Sequence, residues 1–218
     1  MKRIIIVCEG ETEQEFCKDI LLPHFFAQNI LIEYPTIKKS GGGIVAWETL
    51  KKQIDNHLIQ DKQVFVTTLI DYYGLNGRLK FPQWEAALSI VNKSDRMTFL
   101  EQAMKELIDI SRRYRFIPYI QLHEFEGLLF SDLSVFDSQI AQNEFSDYAK
   151  LVDTINEYPN PELINDGKET APSKRLIKII KGYNKVVYGS LLAQEIGLER
   201  IRYKCPGFDN WLTQLTEL

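Results

Sequence analysis

The sequence predicts an α/β fold: a small, mostly parallel sheet flanked by helices, with a helical C-terminal elaboration. Three observations carry that prediction. Short apolar runs rich in β-branched residues recur at residues 4–7, 63–70 and 116–122, and runs of this length and composition read as buried strands. Segments with apolar residues at helical spacing separate them, and such alternation implies parallel pairing through right-handed crossovers. Past residue 130 the strand signals stop and helical patterns remain. Residues 1–130 are therefore expected to form the α/β core, and residues 131–218 a helical elaboration packed on it and carrying a basic segment.

The first run, Ile4 to Val7, ends in Cys8 and releases into Glu9-Gly10-Glu11-Thr12-Glu13. Gly10 supplies permissive backbone for a turn, and Thr12 is the expected N-cap of the next helix. In that helix Phe16, Ile20, Leu21 and Phe25 share a face, and Pro23 is expected to kink or end it. Residues 30–37 (ILIEYPTI) read as an outer strand, because Pro35 cannot donate to an inner ladder. Residues 38–43 (KKSGGG) form a loop. Glycines before a helix can cradle phosphate, but this spacing is neither a Walker A nor a dinucleotide fingerprint.

A second amphipathic helix is expected over residues 44–59, and the strand at 63–70 then delivers Asp71 at its carboxyl end. Residues 72–77 are turn-like, and the stretch through Pro82 and Trp84 reads as irregular. A third helix covers 95–113, capped by Ser94 or Asp95. The strand at 116–122 delivers His123-Glu124-Phe125-Glu126, and a helical turn opens at Gly127. Residues 131–165 read as surface helices and loops, and 165–168 as a turn. A cationic helix at 172–181 follows, then another at 186–196 stopped by Gly197. The tail from Pro206 sets Trp211 and Leu215 at helical spacing.

Composition narrows the function classes. The chain of 218 residues is 44% hydrophobic and 26% charged, an ordinary balance for a globular domain. No apolar run approaches the roughly 20 residues that span a bilayer, and acids interrupt the first apolar run too early for a signal peptide. Cys8, Cys17 and Cys205 are odd in number, unclustered, and make no zinc spacing with His24, His57 or His123. The cytoplasm is the expected compartment.

The formal charge of −4 is unevenly placed. Between Ser173 and Lys204 stand Lys174, Arg175, Lys178, Lys181, Lys185, Arg200, Arg202 and Lys204 against Glu195 and Glu199, eight positive and two negative, hence +6 there and −10 elsewhere. An acidic body with a basic segment suits an enzyme that holds cations in one place and an anionic polymer in another. A solvated helix face gives the same pattern.

The strand ends share one chemistry. Glu9 and Glu13, then Asp71, then Glu124 and Glu126, follow three strands whose carboxyl ends lie on one edge of a parallel sheet, where ligands of open α/β sheets bind. Converging acids without His or Cys partners repel one another unless a hard cation sits between them. Oxygen-only ligation favours Mg²⁺ or Mn²⁺, and carboxylate-held metals serve phosphodiester chemistry. A lysine could offset transition-state charge, with Lys174 the natural candidate. Other readings stand beside these. Glu11 and Glu13 suit a helix N-terminus, Glu124 a surface salt bridge and Asp71 a turn. His123 reads as a packed or hydrogen-bonding neighbour, not a ligand.

Four blocks, CEGETEQEF, LIDYYGL, FIPYIQLHEFEGLLFSD and APSKRLIKIIKGYNKVVYG, the last running on into IGLERIRYKCPGFDNWL, resemble a bacterial Toprim-like family classed as a domain of unknown function, DUF4276. That family is similar to the overcoming-lysogenisation-defect (OLD) type of Toprim nuclease. The resemblance implies a divalent-metal nuclease that acts as an anti-phage effector, with Mg²⁺ or Mn²⁺ as cofactor. It implies metal ligation by Glu9, Glu13, Asp71, Glu124 and Glu126, with Glu9 and Asp71 catalytic. Lys174 takes the place of a late catalytic lysine. Arg175, Lys178 and Lys181 are expected along the nucleic-acid backbone, and an ABC-class or AAA-type ATPase as a partner. One departure stands out: where Toprim strands end Asp-x-Asp, this chain has Asp71 and Tyr73. The alternatives are a non-catalytic partner of an ATPase and a phosphotransfer enzyme acting on small esters.

Overall fold

The sheet is built on β1 (Lys2–Cys8), whose side chains from Ile4 to Cys8 are all buried. β2 (Ile30–Glu33) pairs with one edge of β1 and β3 (Phe65–Asp71) with the other. The far edge of β3 takes two short pieces, β4 (Phe116–Ile117) and β5 (Ile120–Gln121). The expected strand at 116–122 is thus interrupted at Pro118, which cannot donate to the ladder. Every one of these pairings is parallel, in the order β2-β1-β3-β4 with β5 also on β3. The structure, a computed structural model, describes residues 1–218 apart from 39–42, 166 and 168. Most of the glycine-rich loop and two residues of the turn expected at 165–168 therefore lie outside the described residues.

Side chains alternate across β1. Ile5 and Val7 join Val66 and Ile70 of β3 in a core under α3 (Trp47–Gln60), α4 (Trp84–Leu88) and α5 (Lys93–Glu106). Ile4, Ile6 and Cys8 face the opposite core. Over it lie α1 (Glu11–Phe16), α2 (Leu22–Ala27), α6 (Leu133–Gln139), α7 (Tyr148–Glu157), α8 (Pro172–Ile179), α9 (Lys185–Ile196), α10 (Leu198–Lys204) and α11 (Pro206–Thr216). The C-terminal helices therefore share a core with the first strand. Trp211 of α11 shows the depth of that packing: its ring stacks on Tyr119 at 4.6 Å, and its Nε1 donates to Thr67 Oγ1 in β3 at 2.8 Å.

Several local expectations are corrected. α1 is capped at Gly10, not Thr12, and the Glu13 carboxylate accepts the Gly10 N–H at 2.8 Å. Pro23 does not end the helix, which runs on to Ala27. A π-helical segment, Cys17–Leu21, precedes it and closes with Leu22 N–H on Cys17 O. The wider turn shifts the ladder before a residue that would clash with the carbonyl four back. α5 is capped by Asn92, whose Oδ1 accepts from Ser94 and Asp95, and ends at Glu106. The stretch near Trp84 holds 3₁₀ turns and α4. The cysteines are buried and unpaired, but Cys8 and Cys17 are not apart: their sulfurs lie 3.7 Å from each other. No helix among the described residues is long and apolar enough to cross a membrane.

One contact places the start of α9 at the strand ends. A Cβ on Gly189 would sit 3.4 Å from the Thr12 methyl, so α9 lies close against α1. Asp19, in the π-helical segment, accepts from Ser190 Oγ at 2.7 Å and Gln194 Nε2 at 3.0 Å.

Candidate functional site

The parallel ladder carries the three acidic stretches to one edge. Glu9 continues β1 and its N–H donates to Leu69 O, while its Oε2 accepts the Asp71 N–H at 3.0 Å. Asp71 ends β3, buried, and its Oδ1 accepts the Phe125 N–H at 2.9 Å. That contact ties β3 to the 3₁₀ segment Phe125–Ser131, which carries Glu126 fully buried. Glu126 Oε1 meets Lys185 Nζ at 2.6 Å as an ion pair outside hydrogen-bond alignment, and its Oε2 has no hydrogen-bond partner among the described residues.

The acids divide by what their oxygens already do. Glu13 closes the Gly10 turn. Glu124 accepts from Ser173 twice, from N–H at 2.9 Å and from Oγ at 3.0 Å, and so anchors the first turn of α8. Both serve as helix caps. In Glu9 and Asp71 only one carboxylate oxygen accepts a hydrogen bond among the described residues. Glu13 is alike, since only its Oε2 accepts a hydrogen bond among the described residues. With Glu126 Oε2, that leaves an uncommitted oxygen on each of Glu9, Glu13, Asp71 and Glu126, drawn from all three strand ends.

Electrostatics show the cluster to be strained. Burial pushes the Asp71 carboxyl well above its ordinary range, and Glu13, Glu9 and Glu126 push it further. Burial likewise raises Glu9, against the Asp71 N–H and Lys185, with Glu126 and Glu124 adding to the rise. Glu13 is raised by burial and then by Glu9. Glu126 is raised by burial, with Lys185 opposing. For Lys185 burial works against the charge, but Glu126, Asp71 and Glu124 outweigh it and the ammonium is held more firmly. Like charges gathered out of water retain protons or gather a cation.

The lysine at the acids is therefore Lys185, the first residue of α9. Lys174 is exposed on α8 and makes no ion pair or hydrogen bond with the acids, although its neighbour Ser173 binds Glu124. The three cations expected along a nucleic-acid backbone are scattered. Arg175 is buried, its guanidinium donating to Thr170 O and Thr154 Oγ1. Lys178 and Lys181 are turned to Glu169 O and Asn143 O. Tyr183, which no sequence signal singled out, has its buried hydroxyl without a hydrogen-bond partner among the described residues, and burial with Glu126 and Glu124 raises it. Lys185 was legible only as one charge in a basic stretch; its partner lies 59 residues earlier.

The donors are all carboxylate oxygens, the chemistry of Mg²⁺ or Mn²⁺, and a buried oxygen of Glu126 lacks a donor. As placed, no three His, Cys, Asp or Glu side chains among the described residues are grouped to hold an ion. The cation they surround is the Lys185 ammonium. The donor set fits a hard cation, and occupancy requires the carboxylates to draw together as that ammonium moves away from Glu126.

Compared with known proteins, residues 8–216 match a family model described as a domain of unknown function (DUF4276). No curated protein and no solved structure matches the chain.

Proposed function

The chain belongs to the DUF4276 family, a domain of unknown function, and from that premise we propose that it is a Toprim-type, Mg²⁺- or Mn²⁺-dependent nuclease. The observation that carries the reading is the meeting of Glu9, Asp71 and Glu126 at one sheet edge, each with an oxygen uncommitted, around a single ammonium. Those three residues would hold the cation. When bound, the metal supplies Lewis-acid activation of a phosphodiester.

The chain's own residues do the rest. Glu13 and Glu124 keep the flanking helices in place by capping them. Released from Glu126, the Lys185 ammonium neutralises the charge that grows on the phosphate oxygens. Because Ser173 is bound to Glu124, the exposed Lys174 stands at the start of a helix anchored on the cluster, where it can attract a polyanion. The reading extends, through the sequence resemblance, to a cytoplasmic anti-phage effector acting on DNA or RNA beside an ABC-class or AAA-type ATPase.

The test is incubation of the purified chain with DNA and with RNA in Mn²⁺, alongside Glu9→Gln and Asp71→Asn. Cleavage by the wild type, lost in both variants, is expected; undiminished cleavage by both removes the site. A second reading, a non-catalytic partner of an ATPase, draws on Tyr73 in place of an acid and on Lys185 already paired with Glu126. It predicts tight association with the ATPase and no metal-dependent cleavage.

A further inference from the structure

The same strand ends that carry the acids also frame a second feature, an open cleft of about 480 Å³. Tyr72 follows Asp71 directly, and His123 directly precedes Glu124. The two sides are stitched together by the Tyr73 N–H donating to His123 O at 2.8 Å. One wall is aromatic. The Tyr72 ring lies 5.9 Å from Trp84 at an interplanar angle of 35°, and 6.4 Å edge-on from His123. Arg96 fixes it from outside, donating to the Tyr72 hydroxyl at 2.8 Å. Tyr73 is exposed at the rim.

The other wall is rich in donors. Lys93 Nζ lies 3.2 Å from His123 Nε2 and 3.4 Å from Asn165 O, and Asn165 Nδ2 lies 3.2 Å from His123 Nδ1. A neutral imidazole has one lone pair to give, while an ammonium and a carboxamide both approach it as donors. Lys93 and Asn165 both line the cleft, so an ammonium and a carboxamide stand opposite the aromatic wall, a pairing suited to an anionic group. Its backbone is held out of the ordinary: His123 and Gln83, the residue before Trp84, both adopt positive φ, at 66° and 56°. Such conformations persist where the surroundings over-determine them, and they cluster at ligand sites.

We propose that this cleft is a nucleotide subsite, in which an unpaired base stacks on the Tyr72–Trp84 wall and its phosphate is held by Lys93 with Asn165. Stacking on aromatic faces with a cation on the backbone is how single strands are bound without sequence readout. The proposal deepens the nuclease reading and rests on it for one point: the phosphate following the bound nucleotide is the one presented to Glu9, Asp71 and Glu126. Gly74 bridges the two places. A Cβ there would lie 3.7 Å from Glu9 Oε1, so the turn leaving the cleft runs directly past the acid.

The test uses the full-length chain in EDTA, with fluorescence anisotropy of labelled short oligothymidylate and oligouridylate and a blunt duplex of the same length. Saturable binding of a single strand, weaker for the duplex, is expected. Trp84→Ala and Lys93→Gln should each weaken binding about tenfold, the scale of one stacked base, and Trp84→Phe should restore most of it. If Trp84→Ala does not fold, Tyr73→Ala at the exposed rim and Lys93→Gln carry the comparison. Unchanged affinity in both, or preference for the duplex, overturns the subsite. So does a loss confined to Lys93→Gln, which marks an anion pocket alone. Single-strand binding without cleavage in Mn²⁺ sinks the nuclease reading and leaves the subsite standing. Cleavage that proceeds with affinity untouched by the variants does the reverse.

Discussion

The two ends of the sheet treat charge in opposite ways. At the amino end, Arg115 is buried just before β4, and its Nη1 and Nη2 donate to Asp61 O, Val64 O and Leu58 O at 2.8, 3.0 and 2.9 Å, while its Nε has no hydrogen-bond partner among the described residues. Arg3, near the start of β1, pairs with both Glu33 and Asp61. At the carboxyl end, Glu9, Glu13, Asp71, Glu124 and Glu126 gather around Lys185, and Glu9, Glu13, Asp71 and Glu126 each keep an oxygen with no hydrogen-bond donor among the described residues. A buried charge matched by partners holds a fold together, whereas one left short is tolerated where it serves a ligand. The comparison teaches that the amino end gives its buried cation three carbonyl acceptors, whereas the carboxyl end crowds several acids against one ammonium.

The largest expected effect falls at the amino end. Arg115→Ala strands three carbonyl groups and should cost about 3 kcal/mol in urea unfolding. Next comes the opposite result at the other end. Asp71→Asn keeps an oxygen for the Phe125 N–H while removing a repelled charge, and should stabilise the chain by about 1 kcal/mol while abolishing cleavage. A destabilised Asp71→Asn would show that the acids are not in conflict. Lys185→Met removes the shared ammonium, so its loss of stability, about 2 kcal/mol at neutral pH, should shrink as the pH is lowered and the acids take up protons.

A milder contrast lies away from both ends. Glu101 accepts the Ile120 N–H at 2.8 Å, and burial raises its carboxyl from 4.5 to about 7. The folded state then binds more protons than the unfolded one between those values. Its contribution is complete below the ordinary glutamate range and is lost as the pH rises through about 7. Glu101→Gln should therefore gain about 1–2 kcal/mol over the wild type at pH 8, a gain that vanishes near pH 4, followed by thermal unfolding across that range. Smallest of all is Lys178→Ala. The lysine pairs at 3.5 Å with a Glu169 side chain that is 83% exposed, and the change should stay within about 0.5 kcal/mol.

Much of the architecture was legible because strands of this kind announce themselves. The runs at Ile4, at Val66 and at Phe116 are too apolar and too short to be anything else, and their parallel order follows from the helices between them. The acids were legible as strand-end residues for the same reason. What each acid does was not. Glu13 as a cap could be read from its position three residues after Gly10, but Glu124 meeting Ser173 and Glu126 meeting Lys185 are contacts across 49 and 59 residues. Periodicity says nothing about such pairs. Lys174 drew notice because it opens a basic helix, and Arg175 because it follows; helical geometry then sends one outward and the other into the core.

A crystal soaked in Mn²⁺ and read by anomalous scattering tests most directly whether carboxylates from three strand ends share a cation. A peak ligated by Glu9, Asp71 and Glu126, with the Lys185 ammonium withdrawn from Glu126, is the predicted result. Manganese bound elsewhere, or absent while that ammonium stays against Glu126, would contradict it.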